Sequence, residues 1–230
     1  MLAISQFTPL FGAILICWIF SVCVHEFAHA VVAYIGGDRS VREKGYLHFN
    51  PLAYVDPMMS IFIPALFLLM GGLPLPGGAV SINSAALRSK HWSALVSAAG
   101  PLSNIILFLI LAAVVHPSTG LVDPHSFRQP SWATVAGAMC VLELWSVLFN
   151  LIPVPPLDGF GIIEPYLPAD IRMKARSSGM LPLVIIYFLF SADPVRHGFM
   201  DACHFIIDWF GLPWESTWRG YNLALFGSSE

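Results

Sequence analysis

Charged side chains are scarce in this sequence of 230 residues. It has 11 lysines and arginines and 14 aspartates and glutamates, so 11% of its residues are charged, against 57% that are hydrophobic. Soluble domains carry about 25% charged residues, and this chain has too few to cover the surface of a water-soluble globule. Several runs of about 15–25 residues have almost no charge, which is typical of membrane-embedded helices. We therefore predict an all-α polytopic membrane protein.

Cysteine and positive charge are also limited. The four cysteines form no CxxC pair and lie mostly inside apolar runs, which excludes a disulfide framework and predicts small buried hydrophobic residues. The net charge of −3 excludes the basic surface of a nucleic-acid-binding protein.

The N-terminus has no basic region and no cleavage site, so we do not expect a cleavable signal peptide.

Three long apolar runs predict the transmembrane core. The first run has Pro9 at its start and Gly36 at its end, which are typical helix-start and helix-stop residues. Its roughly 27 residues make a helix of ~40 Å, longer than the ~30 Å hydrocarbon layer. Two further spanning helices are predicted at about 93–115 and 133–151, the second followed by a proline break. These three helices should carry any functional site.

Shorter apolar segments complete the predicted architecture. Residues 58–70 are too few to span as a helix, and the Gly/Pro-rich run that follows predicts a re-entrant membrane segment. An apolar stretch at 181–190 and an amphipathic one at 197–210 predict a C-terminal helical pair. We expect a single membrane-embedded domain over residues 1–230, with a core at 9–160 and C-terminal helices at about 180–212. The spacing between the long helices leaves no room for a PDZ insertion, and we expect no appended regulatory domain.

Basic residues predict the orientation. If the first helix runs from outside to inside, 8 of the 11 basic residues become cytoplasmic, as the positive-inside rule prefers. These residues are Arg39, Arg42, Lys44, Arg88, Lys90, Arg172, Lys174 and Arg176. We therefore expect a multi-pass protein of the cell membrane in which residues 36–92 begin and end on the cytoplasmic side.

The first chemical motif is HEFAH, formed by His25, Glu26 and His29. On a helix, positions i and i+4 share a face, so both imidazoles can reach one metal ion. Glu26 lies one position round the helix, close enough to contact a water at that metal. The motif falls at membrane depth, where ionisable residues are costly and indicate function. We predict a metal site here, the alternative being a hydrogen-bonded polar patch.

A catalytic zinc normally takes three protein ligands, and the sequence offers four candidates for the third. Glu43, His48 and Asp56 belong to the polar loop after the first helix, where they would lie in any case. Asp158 follows an apolar helix in the proline-broken run NLIPVPPLDG, which could fold a carboxylate back towards a buried metal. The same run could equally be a plain helix-ending turn.

Three motifs together resemble the site-2 protease family of intramembrane zinc metalloproteases. They are HEFAHA, AAGPLSN and NLIPVPPLDG, in the family's order over residues 25–159. The resemblance implies that His25, His29 and Asp158 bind one zinc ion and that Glu26 is the general base. It also implies the small bacterial or archaeal type. In the related stretch GYLHFNPLAYVDP, Tyr54 stands where histidine is usual, so that histidine's role is not expected in this chain.

The resemblance also implies the substrate and the place of the reaction. Substrates would be single-span or membrane-anchored proteins, cut within or near their transmembrane segments. The active site would lie inside the bilayer towards the cytoplasmic side. Two other function classes stay open from the residues: a membrane metal transporter or channel, and a catalytically inactive relative that binds membrane clients. The sequence defines neither the substrate nor the oligomeric state.

Other intramembrane polar residues have two interpretations each. Asn104 and Asn150 could position an extended substrate, or could cap backbone groups freed by nearby prolines. Glu143, on the same helical face as Asn150, could line a water path or make a packing contact. Four residues at helical spacing near the C-terminus could form a second metal site but are better interpreted as the polar face of an interfacial helix; they are His197, Asp201, His204 and Asp208.

Overall fold

A computed structural model describes residues 9–56, 60, 78–123, 126, 131–179, 181–190, 192–214 and 217–218. These residues form α-helices joined by turns and short 3-10 segments, without a β-strand. Three helices are long and apolar enough to cross a membrane. They are α1 (Pro9–Gly36), α3 (Lys90–Val115) and α4 (Trp132–Asn150), and a short α2 (Ser40–Glu43) follows α1. The all-helical membrane architecture predicted from composition is confirmed.

The predicted bounds of the spanning helices agree closely with the structure. Helix α1 ends at Gly36, and α4 begins and ends one residue earlier than expected. Helix α3 begins at Lys90, about three residues earlier than expected, and continues through Pro101. The predicted re-entrant segment at 58–70 lies outside the described residues, apart from the isolated residue 60.

Helix α3 packs between α1 and α4 and runs antiparallel to both. At one end of the bundle, Leu10 and Ile14 of α1 share a core with Phe108 and Val115 of α3 and with the first half of α4. At the other end, Ala30 and Ala33 of α1 pack near Val96 of α3. The small residues let the backbones approach closely, as is usual for helices packed in a membrane.

Large apolar side chains are exposed on the outside of the bundle. Ile16 on α1 is 70% exposed, and Ile106 and Ile110 on α3 are each more than half exposed. Such a surface would be costly in water but is ordinary against lipid tails. The outward faces of α1 and α3 therefore fit a bilayer.

The chain returns to the end of α1 before α3 begins. The backbone N–H of Arg88 donates to the carbonyl oxygen of Gly36 at 2.9 Å. Residues 36 and 88 therefore lie at the same end of the bundle, as the predicted topology requires. That this end faces the cytoplasm stays a prediction from the positive-inside rule.

Asp38 organises the loop at this end. Its carboxylate is buried and accepts hydrogen bonds from the N–H (3.0 Å) and hydroxyl (2.6 Å) of Ser40 and from the N–H of Asn83 (2.7 Å). Burial alone would raise the pKa of Asp38, but these hydrogen bonds favour the charged form, and the pKa lies below its ordinary value. The contact joins the start of the loop to the segment that precedes α3.

Tyr54 anchors the middle of the same loop. Its side chain is buried, and its hydroxyl donates to the carbonyl oxygen of Tyr46 at 2.8 Å. Burial raises the pKa of Tyr54 to about 12. The Tyr54 carbonyl oxygen in turn accepts from the N–H of Ala79 at 3.0 Å. The tyrosine that replaces the usual histidine thus has a structural contact of its own.

Shorter helices follow the spanning core. They are α5 (Asp158–Ile163), α6 (Ala169–Ser177), α7 (Leu181–Phe190) and α8 (Asp193–Trp209). Helix α7 has ten residues, about 15 Å, and is too short to cross a bilayer. Helix α8 buries Cys203 and Ile207.

The predicted polar face of α8 is exposed. His197, Asp201, His204 and Asp208 all lie on the surface, and among the described residues none belongs to a group placed to bind a metal. Helix α8 therefore has the exposed polar face of an amphipathic helix.

Candidate metal centre

Two histidines on α1 and one aspartate after α4 bring their ligand atoms together inside the bundle. The ligand atoms of His25, His29 and Asp158 all lie within 4.8 Å of one another. The two Nε2 atoms are 3.0 Å apart. Asp158 Oδ2 lies 3.1 Å from His25 Nε2, and Asp158 Oδ1 lies 3.3 Å from His29 Nε2. One carboxylate thus faces both imidazoles.

The break after α4 positions Asp158. Helix α4 ends at Asn150, a proline-rich turn follows, and Asp158 is the first residue of α5. Gly159 makes the reversal possible, because a Cβ there would overlap the carbonyl oxygen of Leu151 and lie 2.6 Å from that of Ile152. Backbone carbonyls at the end of α4 cannot move aside for a side chain. The LDG sequence therefore packs the start of α5 against the turn at 151–152 that ends α4.

Helix α3 covers the histidines with a glycine. A Cβ on Gly100 would lie 2.5 Å from His25 Cε1 and closer still to the Nε2 atoms of both histidines. Real Cβ atoms essentially never approach other atoms within 3.0 Å. Only glycine at this position leaves open the space that both Nε2 atoms face.

The three residues fit a zinc ion. Two imidazole nitrogens and one carboxylate are a ligand set that catalytic zinc uses, with a fourth position left for water or substrate. The two Nε2 atoms lie 3.0 Å apart, and both carboxylate oxygens of Asp158 lie within 3.3 Å of one of them, so all three side chains can direct a ligand atom to one ion. His25 and His29 are also buried, where two imidazoles facing one another need a shared partner.

Both imidazoles are held by their other ring nitrogen. His29 Nδ1 donates to the backbone carbonyl oxygen of Val96 at 2.6 Å, and His25 Nδ1 donates to the side-chain oxygen of Asn104 at 2.5 Å. Such contacts turn the Nε2 lone pairs towards the shared space. Asn104, a predicted substrate-positioning residue, is thus bonded to one of the histidines.

Glu26 lies beside the histidines and is held by an extended segment. Its side chain is buried and accepts a hydrogen bond from the backbone N–H of Val80. A Cβ on Gly78 would lie 2.9 Å from Glu26 Cγ, so glycine lets this segment pass directly over the glutamate. The segment adds a backbone donor that no side-chain motif in the sequence indicates.

The structure brings together some of the predicted residues and separates others. Of the four candidates for the third ligand, Asp158 joins the two histidines, whereas Glu43 and His48 are exposed in the loop and Asp56 belongs to no such group among the described residues. Asn150 donates to Ser146 Oγ at 3.3 Å within its own helix. Sequence reasoning missed Gly100 as the residue that leaves the space open, although its small neighbours on α3 pointed to close packing.

Known proteins resemble the chain over most of its length. "Putative zinc metalloprotease Rip2" of Mycobacterium tuberculosis is 33% identical over 222 residues, covering 96% of this chain and 83% of the relative. The chain belongs to the site-2 protease family. The protein of the same name from Mycolicibacterium smegmatis is 29% identical over 97% of this chain and 84% of its own length.

A relative from another genus agrees with this assignment. "Putative zinc metalloprotease YwhC" of Bacillus subtilis is 34% identical over 194 residues, covering 76% of this chain and 79% of the relative. No protein-family model matches the chain. No solved structure matches it either. The names of these site-2 protease relatives support zinc binding and a protease role, and the three spanning helices support a membrane location.

Proposed function

We propose that this protein is an intramembrane zinc metalloprotease that hydrolyses peptide bonds within or near the transmembrane segments of membrane-anchored proteins. One observation carries the proposal: His25, His29 and Asp158 gather their ligand atoms within 4.8 Å of one another. The two histidines lie on a helix long and apolar enough to span a membrane. His29 is seven residues from the end of α1 at Gly36, or roughly 10 Å, which supports a site at membrane depth.

His25, His29 and Asp158 are the proposed ligands of one zinc ion, and Glu26 is the proposed general base. When bound, zinc acidifies a water molecule and polarises the scissile carbonyl. Glu26 would take the proton from that water and pass it to the leaving amine. The Val80 N–H keeps the Glu26 side chain in one orientation for both transfers. A hydrogen-bonded carboxyl group beside three possible ligands supports this assignment.

The substrate must present an extended segment. A transmembrane helix uses its own backbone carbonyls in hydrogen bonds, so it must unwind locally before one can react. Asn150 ends α4, eight residues before Asp158, and its amide offers both a donor and an acceptor. We propose that Asn150 helps to hold the unwound strand, and that the protein is a multi-pass protein of the cell membrane with its site towards the cytoplasmic side.

The test replaces Glu26 by glutamine. Glu26→Gln keeps the size and the hydrogen-bonding ability of the side chain but removes the base, so zinc should stay bound while cleavage falls by at least ~10²–10⁴-fold. The purified protein is reconstituted with a membrane-anchored test substrate, the cleaved fragment is quantified, and zinc is measured in parallel. Glu164→Gln, the same change outside the site, is the matched control and should cleave normally.

Different results contradict the proposal in different ways. Cleavage by Glu26→Gln at the wild-type rate would disprove the mechanism. Ion movement that depends on His25 and His29, with no cleavage by the wild type, would indicate a transporter. Zinc binding by the wild type with neither cleavage nor ion movement would indicate an inactive relative that binds clients.

A further inference from the structure

A line of buried polar side chains joins the three spanning helices behind the metal centre. His25 on α1 donates to Asn104 Oδ1 on α3, and Asn104 Nδ2 donates to Glu143 Oε2 on α4 at 2.7 Å. Asn104 and Glu143 are each 1% exposed. Nothing in the proposed chemistry uses Glu143. A carboxyl group buried among apolar helices is costly unless it is hydrogen-bonded, and ionisable residues inside membrane helices usually mark functional sites.

We infer that Glu143 is a positioning residue that sets, through Asn104, which nitrogen of His25 faces the metal. The inference rests on the proposed function, because it assumes that His25 is a metal ligand. The decisive contact is the bond from Asn104 Nδ2 to Glu143 Oε2. A carboxylate oxygen accepts hydrogen bonds, so it selects the NH₂ side of the Asn104 amide.

The second N–H of the Asn104 amide is also used. Asn104 Nδ2 lies 3.2 Å from Ser21 Oγ on α1, one helical turn before His25. With both donors directed to Glu143 and Ser21, only Oδ1 is left to face His25 Nδ1. An amide oxygen cannot donate, so the imidazole proton must be on Nδ1, and the Nε2 lone pair is free for the metal.

The other histidine shows why a side chain is needed here. His29 Nδ1 donates to the backbone carbonyl oxygen of Val96, and a carbonyl oxygen has no donor side, so it fixes the tautomer by itself. An asparagine amide can turn over and present its NH₂ group instead. Glu143 removes that freedom, and so gives His25 the same fixed tautomer that the backbone gives His29.

A purely structural role is the competing interpretation, since hydrogen bonds between helices also hold membrane bundles together. The two roles differ in what a substitution changes. A structural contact contributes to the stability of the metal-free protein. A positioning contact contributes to metal affinity, and partners of metal-ligating histidines typically contribute 10–100-fold to that affinity.

The experiment measures zinc affinity by competition with a chelator on the full chain in detergent or nanodiscs, together with melting of the metal-free protein. Glu143→Leu should weaken zinc binding roughly 10–100-fold. Glu143→Gln keeps an acceptor oxygen but is an amide that can itself turn over, so it should lose less zinc affinity than Glu143→Leu. Thr134→Val removes another buried polar group from α4 and should leave zinc affinity unchanged whatever it does to melting.

A double variant shows whether Glu143 acts through Asn104. If it does, Asn104→Ala combined with Glu143→Leu should bind zinc no more weakly than Asn104→Ala alone. The visible spectrum of the Co²⁺-loaded protein should change equally in these two proteins. Additive losses of affinity would overturn the inference, as would wild-type affinity in Glu143→Leu or an equal loss in Glu143→Gln.

A second measurement does not depend on the folding of an apolar variant. Histidine-selective ¹⁵N NMR of the metal-loaded wild type and of Glu143→Gln reports which ring nitrogen carries the proton, and His25→Ala identifies the signals. A proton on His25 Nδ1 in both proteins supports the inference. A proton on Nε2, with the metal on Nδ1, overturns it.

The outcomes separate this inference from the proposed function. If substitution of Glu143 weakens zinc binding but the wild type cleaves no substrate, the positioning role is supported and the proposed protease function is contradicted. If the wild type cleaves substrate but substitution of Glu143 leaves zinc affinity unchanged, the protease function is supported and the positioning role is overturned. A wild type that binds no zinc overturns both.

Discussion

A methyl group on Gly100 should block the metal centre. In Gly100→Ala the new Cβ would lie 2.5 Å from His25 Cε1 and nearer to both Nε2 atoms, whereas ordinary contacts begin at about 3.4 Å. Helix α3 or the imidazoles would have to retreat by roughly 0.9 Å or more. Overpacking of this kind costs about 1–3 kcal/mol.

The cost should fall on the metal-loaded state. Without metal, the imidazoles can retreat from the methyl group by giving up part of their hydrogen bonds to Asn104 and Val96, and alanine favours a helix over glycine by about 1 kcal/mol. With metal, both Nε2 atoms must face the space that the methyl group fills. We therefore expect zinc affinity to fall roughly 5- to 150-fold, while the melting temperature of the metal-free protein changes less than that of the zinc-loaded protein.

Chelator competition and melting with and without zinc measure both effects. Gly12→Ala is the matched control, because it makes the same change in a spanning helix where nothing lies within 4 Å of the new Cβ. It should keep wild-type zinc affinity. Wild-type zinc affinity in Gly100→Ala would refute the reasoning, since it would place the metal away from the space between α1 and α3.

Three further predictions test other parts of the molecule. Asp158→Ala should reduce zinc, measured by metal analysis, to a small fraction of wild type; full occupancy would move the third-ligand role to a loop residue. Cysteines introduced at Arg42 and Lys90 in a cysteine-free background should both resist an impermeant thiol reagent applied outside, and labelling of only one would put the two ends of this loop on opposite sides. Because the folded pKa of Asp38 lies below its ordinary value, its contribution to stability is complete above about pH 4 and is lost as the pH falls through the folded pKa. Asp38→Asn should therefore melt earlier than wild type near neutral pH, and the difference should shrink in acid; a constant difference would contradict this.

Composition and local spacing determined the membrane class and the spanning helices. A helix satisfies its own backbone in lipid, so a long uncharged run is sufficient to indicate a span, and the ends of α1 and α4 follow from nearby glycine and proline residues. The pair His25 and His29 was also predictable, because residues four apart share a helical face whatever the rest of the chain does.

The third ligand needed more than spacing. From the residues alone, Asp158 competed with Glu43, His48 and Asp56, and the resemblance to a family favoured it. The structure adds the physical reason: Gly159 packs against the carbonyl oxygens that end α4 and so turns the aspartate back towards α1. This change of chain direction depends on backbone packing between segments that are distant from the histidines in sequence. A local sequence pattern therefore does not predict it.

Tertiary structure alone decided what surrounds the proposed metal ligands. Gly100 lies 71 positions from His29, and Glu143 lies 39 positions from Asn104, so neither relation leaves a periodic signal. The sequence left two interpretations open for Glu143, a water path or a packing contact, and two for Asn104. Only the packing of α3 between α1 and α4 joins them, because an asparagine acquires a defined orientation when its donors and its acceptor meet different neighbours.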